Sequence, residues 1–161
     1  MNAKREYVVA PKQNIIDWDT RFKLSISVID KQHHRLVQLT NRLHKACLES
    51  PETANQSFIE TVREAAKYVR FHFSTEENLM LLVDFPGYAA HKKEHENFIR
   101  EVITHHDKFN QAKYLVPNRF VLFLKEWILS HIAVCDKEMA DFIIKTKYHK
   151  KLEQLFSEEA A

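Results

Sequence analysis

Five histidines and two carboxylates fall on the apolar stripes of helical segments, in an order that reads as a two-metal site. His33 stands alone on a first stripe. His72 and Glu76 share a second at i, i+4; His91 and His95 share a third at the same spacing; His131 and Asp136 lie five apart on a fourth. Residues four apart on a helix occupy one face, so each i, i+4 pair points where its apolar neighbours point, toward a core. A buried carboxylate without a partner costs on the order of several kcal/mol, and a buried imidazole needs partners at both ring nitrogens. Seven such groups in one core are hard to satisfy with each other alone. Metal ions resolve the conflict: they take imidazole nitrogens and carboxylate oxygens directly and cancel the negative charge. His131 and Asp136 are the irregular pair, because five steps leave them about 140° apart on an ideal α-helix. Both reach one site only if the helix rotates locally, as at a π-bulge, or if they approach it from different sides.

Ligands on four stripes converge only inside a bundle, and the rest of the chain agrees. A length of 161 residues suits one domain with its own core. A single glycine, Gly87, and four prolines argue against a fold built on hairpins. A first helix is expected over about residues 30–49, with Asp30 as N-cap and Pro51 as its stop. A second is expected over about 54–83, on a stripe of Phe58, Val62, Ala65, Val69, Phe73 and Met80. Phe85-Pro86-Gly87 breaks the chain before a third, about 88–109, on which Phe98 and Val102 continue the stripe of His91 and His95. After a connector at 110–117, a fourth runs to about 145, with Phe120, Leu124, Trp127, Ile128, Cys135 and Phe142 inward. Short connections imply an all-α, up-down-up-down antiparallel four-helix bundle.

The expected organisation is an N-terminal arm at 1–28, the four-helix domain at 29–145 and a tail at 146–161 that forms a short C-terminal helix. The arm ends in Trp18, Phe22, Leu24, Ile26 and Val28, expected to lie along the outside of the core. A net charge of +2 without a concentrated basic face points to neither nucleic acid nor membrane as a partner. Cys47 and Cys135 lack metal or redox spacing and read as reduced packing residues. No stretch reads as a signal peptide or a membrane span, and the expected location is the cytoplasm.

The segments Asp30-Lys31-Gln32-His33, His72-Phe73-Ser74-Thr75-Glu76, His91-Lys92-Lys93-Glu94-His95 and Trp127 through Asp136 resemble the ligand segments of the hemerythrin family, the bacterial branch most of all. All seven positions match in type, order and spacing, over roughly residues 16–145. The resemblance implies a non-haem di-iron centre with an oxo or hydroxo bridge. His91, His95 and His131 would bind one iron, His33 and His72 the other, and Glu76 and Asp136 would span both. Six ligands then complete the first iron, five surround the second, and dioxygen would take the vacant position reversibly. Leu36, Phe73, Trp127, Ile128 and Ile132 are the residues expected to keep that position dry; ordinary core packing would place them equally well. The implied protein is an oxygen carrier or store and not an enzyme. An oxygen or redox sensor, or a detoxifier of oxygen or nitric oxide, would share the same core.

Two other chemistries compete. His91-Lys92-Lys93-Glu94-His95 fits the H-x-x-E-H pattern of one zinc peptidase class, although Glu94 is rotated off the face of His91 and His95 and is expected to be solvated. That reading leaves His33, His72 and Glu76 without a role. A ferritin-like oxidase needs Glu-x-x-His on two helices, and no glutamate here precedes a histidine by three. His34, His44, His105, His106 and His149 are expected to be solvated or supporting.

Overall fold

The computed structural model describes residues 14–112, 115–146 and 148. Four long helical rods form an antiparallel bundle. The first rod, α1, spans Ser27–Glu49. The second, α2, runs without interruption through three segments: Pro51–Tyr68 and Ser74–Leu82 are α-helical, and Val69–Phe73 between them is π-helical. The third, α3, is Tyr88–Ala112. The fourth, α4, combines α-helix Val116–Trp127, π-helix Ile128–Asp136 and α-helix Lys137–Ile144. A 3₁₀ turn at Thr20–Phe22 precedes them. No helix among the described residues is long and apolar enough to cross a membrane.

The helix ends differ from expectation for local reasons. Asp30 lies in the first turn of α1, and its Oδ1 accepts the Leu24 N–H at 2.7 Å. It ties the arm to the helix instead of capping it. Pro51 starts α2: it stands at the first helical position, where no N–H is needed, and Ser50 caps the turn by accepting the Thr53 N–H at 3.1 Å. At the far end of α2, Asp84 takes φ 54° and the Phe85 N–H bonds the Met80 carbonyl at 2.9 Å, a left-handed close that frees the chain to reverse.

The arm is part of the core. Phe22, Leu24 and Ile26 are buried, while Trp18 and Val28 are half-buried. Asn41 holds the arm by its backbone: Oδ1 accepts from Ile15 and Ile16 N–H at 3.0 and 3.1 Å, and Nδ2 donates to the Ile16 carbonyl at 2.8 Å. Lack of helical periodicity hid this, because an extended segment can bury side chains without showing a helix period. The expected C-terminal helix falls mostly outside the described residues.

The core divides into two apolar clusters. One gathers Leu36, Phe58, Phe98, Phe120, Leu124 and Ile128; the other gathers Leu24, Ile29, Met80, Met139 and Ile143. Buried polar residues from all four rods lie between them in sequence along each rod. Cys47 and Cys135 are free and half-buried, so Cys135 is not an inward residue. If the arm completes the core, Phe22→Ala lowers unfolding free energy by about 3–5 kcal/mol, as for other buried Phe truncations. A urea titration measures it, and a loss under about 1 kcal/mol would place the arm outside.

Candidate metal centre

His33, His72, Glu76, His91, His95, His131 and Asp136 meet in one buried cluster; none exposes more than 5% of its surface. Their ligand atoms form two overlapping groups. One is Glu76, His91, His95, His131 and Asp136, the other His33, His72, Glu76 and Asp136. Within each group the candidate ligand atoms lie within 4.8 Å of one another. Asp136 turns one oxygen to each group: Oδ2 is 3.0 Å from His33 Nε2, and Oδ1 is 3.0 Å from His131 Nε2 and 3.2 Å from His91 Nε2. Glu76 Oε2 lies 3.1 to 3.4 Å from His95, His91 and His72 Nε2, and Oε1 lies 3.9 Å from His33 Nε2.

The two π-helical segments make this convergence possible. A π-helix closes i→i+5 hydrogen bonds, so residues five apart come onto one face. His131 and Asp136, splayed on an ideal α-helix, thereby both turn inward, and Cys135 is turned aside toward the rim. The segment Val69–Phe73 has the same effect on α2, where the neighbours His72 and Phe73 are both buried. Periodicity alone did not reveal this second π segment, since His72 and Glu76 already satisfied α-helical spacing.

The residues fit metal ions better than they fit one another. Glu76 Oε1, both Asp136 oxygens and His131 Nε2 are buried without a hydrogen-bond partner. Several lie within hydrogen-bond length of a neighbour but without its alignment, so donor atoms aim at shared points between the side chains. Such orphaned polar atoms are costly unless something fills those points. Glu94 is exposed on the outer face of α3, away from His91 and His95, which removes the base that a peptidase reading requires.

Residues 24–143 match the family model of the hemerythrin HHE cation-binding domain. The chain belongs to the hemerythrin family. Bacteriohemerythrin of Stenotrophomonas maltophilia is 33% identical over 127 residues, which covers 79% of this chain and 80% of that protein. Bacteriohemerythrin of Pseudomonas aeruginosa is 34% identical over 126 residues, 78% of this chain and 80% of that one. A crystal structure of wild-type hemerythrin shares the fold, with a TM-score of 0.67 at 24% identity over 80% of this chain and 98% of that chain.

In this hemerythrin domain, residues beside the cluster orient its histidines. The His72 Nδ1–H donates to Gln32 Oε1 at 2.9 Å, and the His95 Nδ1–H donates to Glu77 Oε1 at 3.2 Å. Each bond directs the Nε2 lone pair inward. Sequence reasoning missed both partners; Gln32 is next to His33 and Glu77 next to Glu76, and neighbours of ligands were the available signal. Tyr68 was missed too. It is buried and stacks on the His72 ring, with centroids 4.5 Å apart. Phe73 stacks on His95 at 3.7 Å, and Trp127 on His131 at 3.9 Å. Leu36, Ile128 and Ile132 are buried in the same apolar cluster. His105 is also buried, against Phe120 and Phe123, outside the ligand groups.

The electrostatics favour metal uptake. Burial drives His72 down to about 3, so it stays neutral and ready to ligate. Burial would raise both carboxyls, but the surrounding histidines hold Glu76 and Asp136 below the ordinary carboxylate range. Burial opposes charge on His91, yet the Asp136 and Glu76 carboxylates beside its ring nitrogen raise it to about 9. Below that value the metal-free site keeps a proton on His91, and a metal must displace it. Metal binding at pH 7 therefore releases about one proton, and apparent affinity rises roughly tenfold per pH unit toward pH 9. Calorimetry in buffers of different ionisation enthalpy tests this; uptake without proton release would contradict it. Gln32→Leu, which strips the His72 Nδ1–H of its acceptor, should weaken metal affinity by about ten- to a hundredfold.

Proposed function

We propose that the chain binds dioxygen reversibly at a pair of non-haem iron ions and serves as an oxygen carrier or store. In this reading His91, His95 and His131 hold one ion, His33 and His72 hold the other, and Glu76 and Asp136 each span the pair. The observation that carries the proposal is the placement of Asp136, with one oxygen toward each histidine group. The groups are unequal, three histidines against two. With two shared carboxylates and one solvent-derived bridge, the three-histidine ion would have six ligands and the two-histidine ion would keep one position for a diatomic ligand. Two ferrous ions held by these residues would supply the two electrons that dioxygen takes up and returns.

The protein's own part is to hold, orient and exclude. Gln32 and Glu77 hold two imidazoles in their metal-binding tautomer. Leu36, Phe73, Trp127, Ile128 and Ile132 form the apolar wall that excludes water and anions, whose entry would promote irreversible oxidation of the centre by dioxygen. Phe73 and Trp127 do so while stacked on ligands of the three-histidine group. A histidine-rich set with one vacancy suits gas binding, and a carrier or store needs no catalytic base.

Iron-loaded, reduced protein should develop a visible charge-transfer band in air and lose it under argon, over repeated cycles. A protein that carries about two irons yet shows no reversible band would end the carrier reading. Glu76→Ala should lose most of its iron and unfold more readily, because one remaining carboxylate cannot hold both ions. Full iron retention by elemental analysis would contradict a bridging role.

A further inference from the structure

On one side of the cluster each rod contributes a residue one turn from its ligand. Leu36 follows His33, Tyr68 precedes His72, Phe98 follows His95 and Trp127 precedes His131, and because the rods alternate in direction these four share one level. Ring contacts join the layer: Tyr68 to Phe98 at 6.4 Å, Phe98 to Trp127 at 4.6 Å, and Phe73 to both Tyr68 and Trp127 at about 6 Å. Among the side chains of this layer only two carry polar atoms, Tyr68 Oη and Trp127 Nε1. Both are buried, and neither has a hydrogen-bond partner. The indole N–H stands near the phenol oxygen without completing a bond to it.

A buried phenol O–H without an acceptor, beside an indole N–H that finds only a poorly aligned phenol oxygen, is an arrangement that proteins rarely keep. An apolar side chain at either position would fill the space without that cost. The Tyr68 ring lies flat on His72, a ligand of the two-histidine group, and a cleft between α1 and α2 of about 760 Å³ reaches both residues from solvent. We propose that Tyr68, with Trp127 beside it, is a donor pair that holds a small hydrogen-bond acceptor against the two-histidine side of the cluster. The acceptor is water in the metal-free protein, and the outer atom of a diatomic or linear triatomic ligand when the centre is loaded. Tyr68 is in this sense a positioning residue for the proposed function, on which the loaded-state part of the inference rests.

The test compares the full chain with Tyr68→Phe, which keeps the ring and removes only the hydroxyl. With azide as probe on the ferric, iron-loaded protein, the variant should bind about three- to tenfold more weakly, the value of one hydrogen bond. The azide infrared stretch of the unaltered chain should move further in D₂O than that of the variant, which keeps only the indole N–H of Trp127. Equal affinity and identical stretches would overturn the donor role. A second measurement needs no iron: a high-resolution crystal structure of the metal-free chain should show an ordered water within hydrogen-bond distance of Tyr68 Oη and Trp127 Nε1. A dry gap there overturns the inference whatever the iron does. If the water is present and the loaded protein fails to cycle with oxygen, the carrier reading falls and the donor pair stands.

Discussion

Two ionisable carboxylates with no solvent exposure lie at the centre of this bundle, and that burial constrains everything around them. Glu76 and Asp136 come from different rods and sit among five imidazoles. An ion so placed is destabilising unless opposite charge and donors surround it. The histidines provide part of this, since they hold both carboxyls ionised against burial and against each other. Atoms left without partners, such as both oxygens of Asp136, show that the protein alone does not complete the arrangement. The fold is therefore built around a charge deficit that cations satisfy.

This deficit explains why regular helix geometry is abandoned at two places. A π segment has poorer backbone packing than an α-helix and is tolerated where it delivers a side chain that α geometry would misplace. In α4 it brings His131 and Asp136 to one face; in α2 it turns both His72 and Phe73 inward, so that Phe73 covers His95. The apolar clusters on either side then supply the rigidity that holds the irregular turns in place. Aromatic rings stacked directly on imidazoles of the cluster, Phe73 on His95, Trp127 on His131 and Tyr68 on His72, limit the rotation of each ring. Hydrogen bonds donated by Nδ1–H to Gln32 and Glu77 act on two of the same rings from behind.

The hemerythrin family relationship and the local geometry are separate lines of support. The family match covers the bundle and the last turns of the arm, residues 24–143. The unequal histidine groups around shared carboxylates would suggest two inequivalent metal positions even without relatives. In the function proposed, this inequivalence would let a ligand bind at one ion without disturbing the other.

The sequence by itself determined the fold class, the four rods and the identities of the seven clustered side chains. Helical stripes and i, i+4 pairs are local properties, and the spacing of His131 and Asp136 left two options, a locally rotated helix or an approach from different sides. Other features were decided only by tertiary structure. Asp30 and Pro51 carry ordinary cap and stop signals whose meaning depends on which neighbour they bond. Phe22, Leu24 and Ile26 lack a helical period, so their burial depends on the docking of an extended arm that Asn41 holds. Gln32, Glu77 and Tyr68 look like surface or packing residues until four rods fix which of their atoms face a ligand ring. Spacing along one helix encodes which residues share a face; the partners of that face across the bundle are set by the packing of all four.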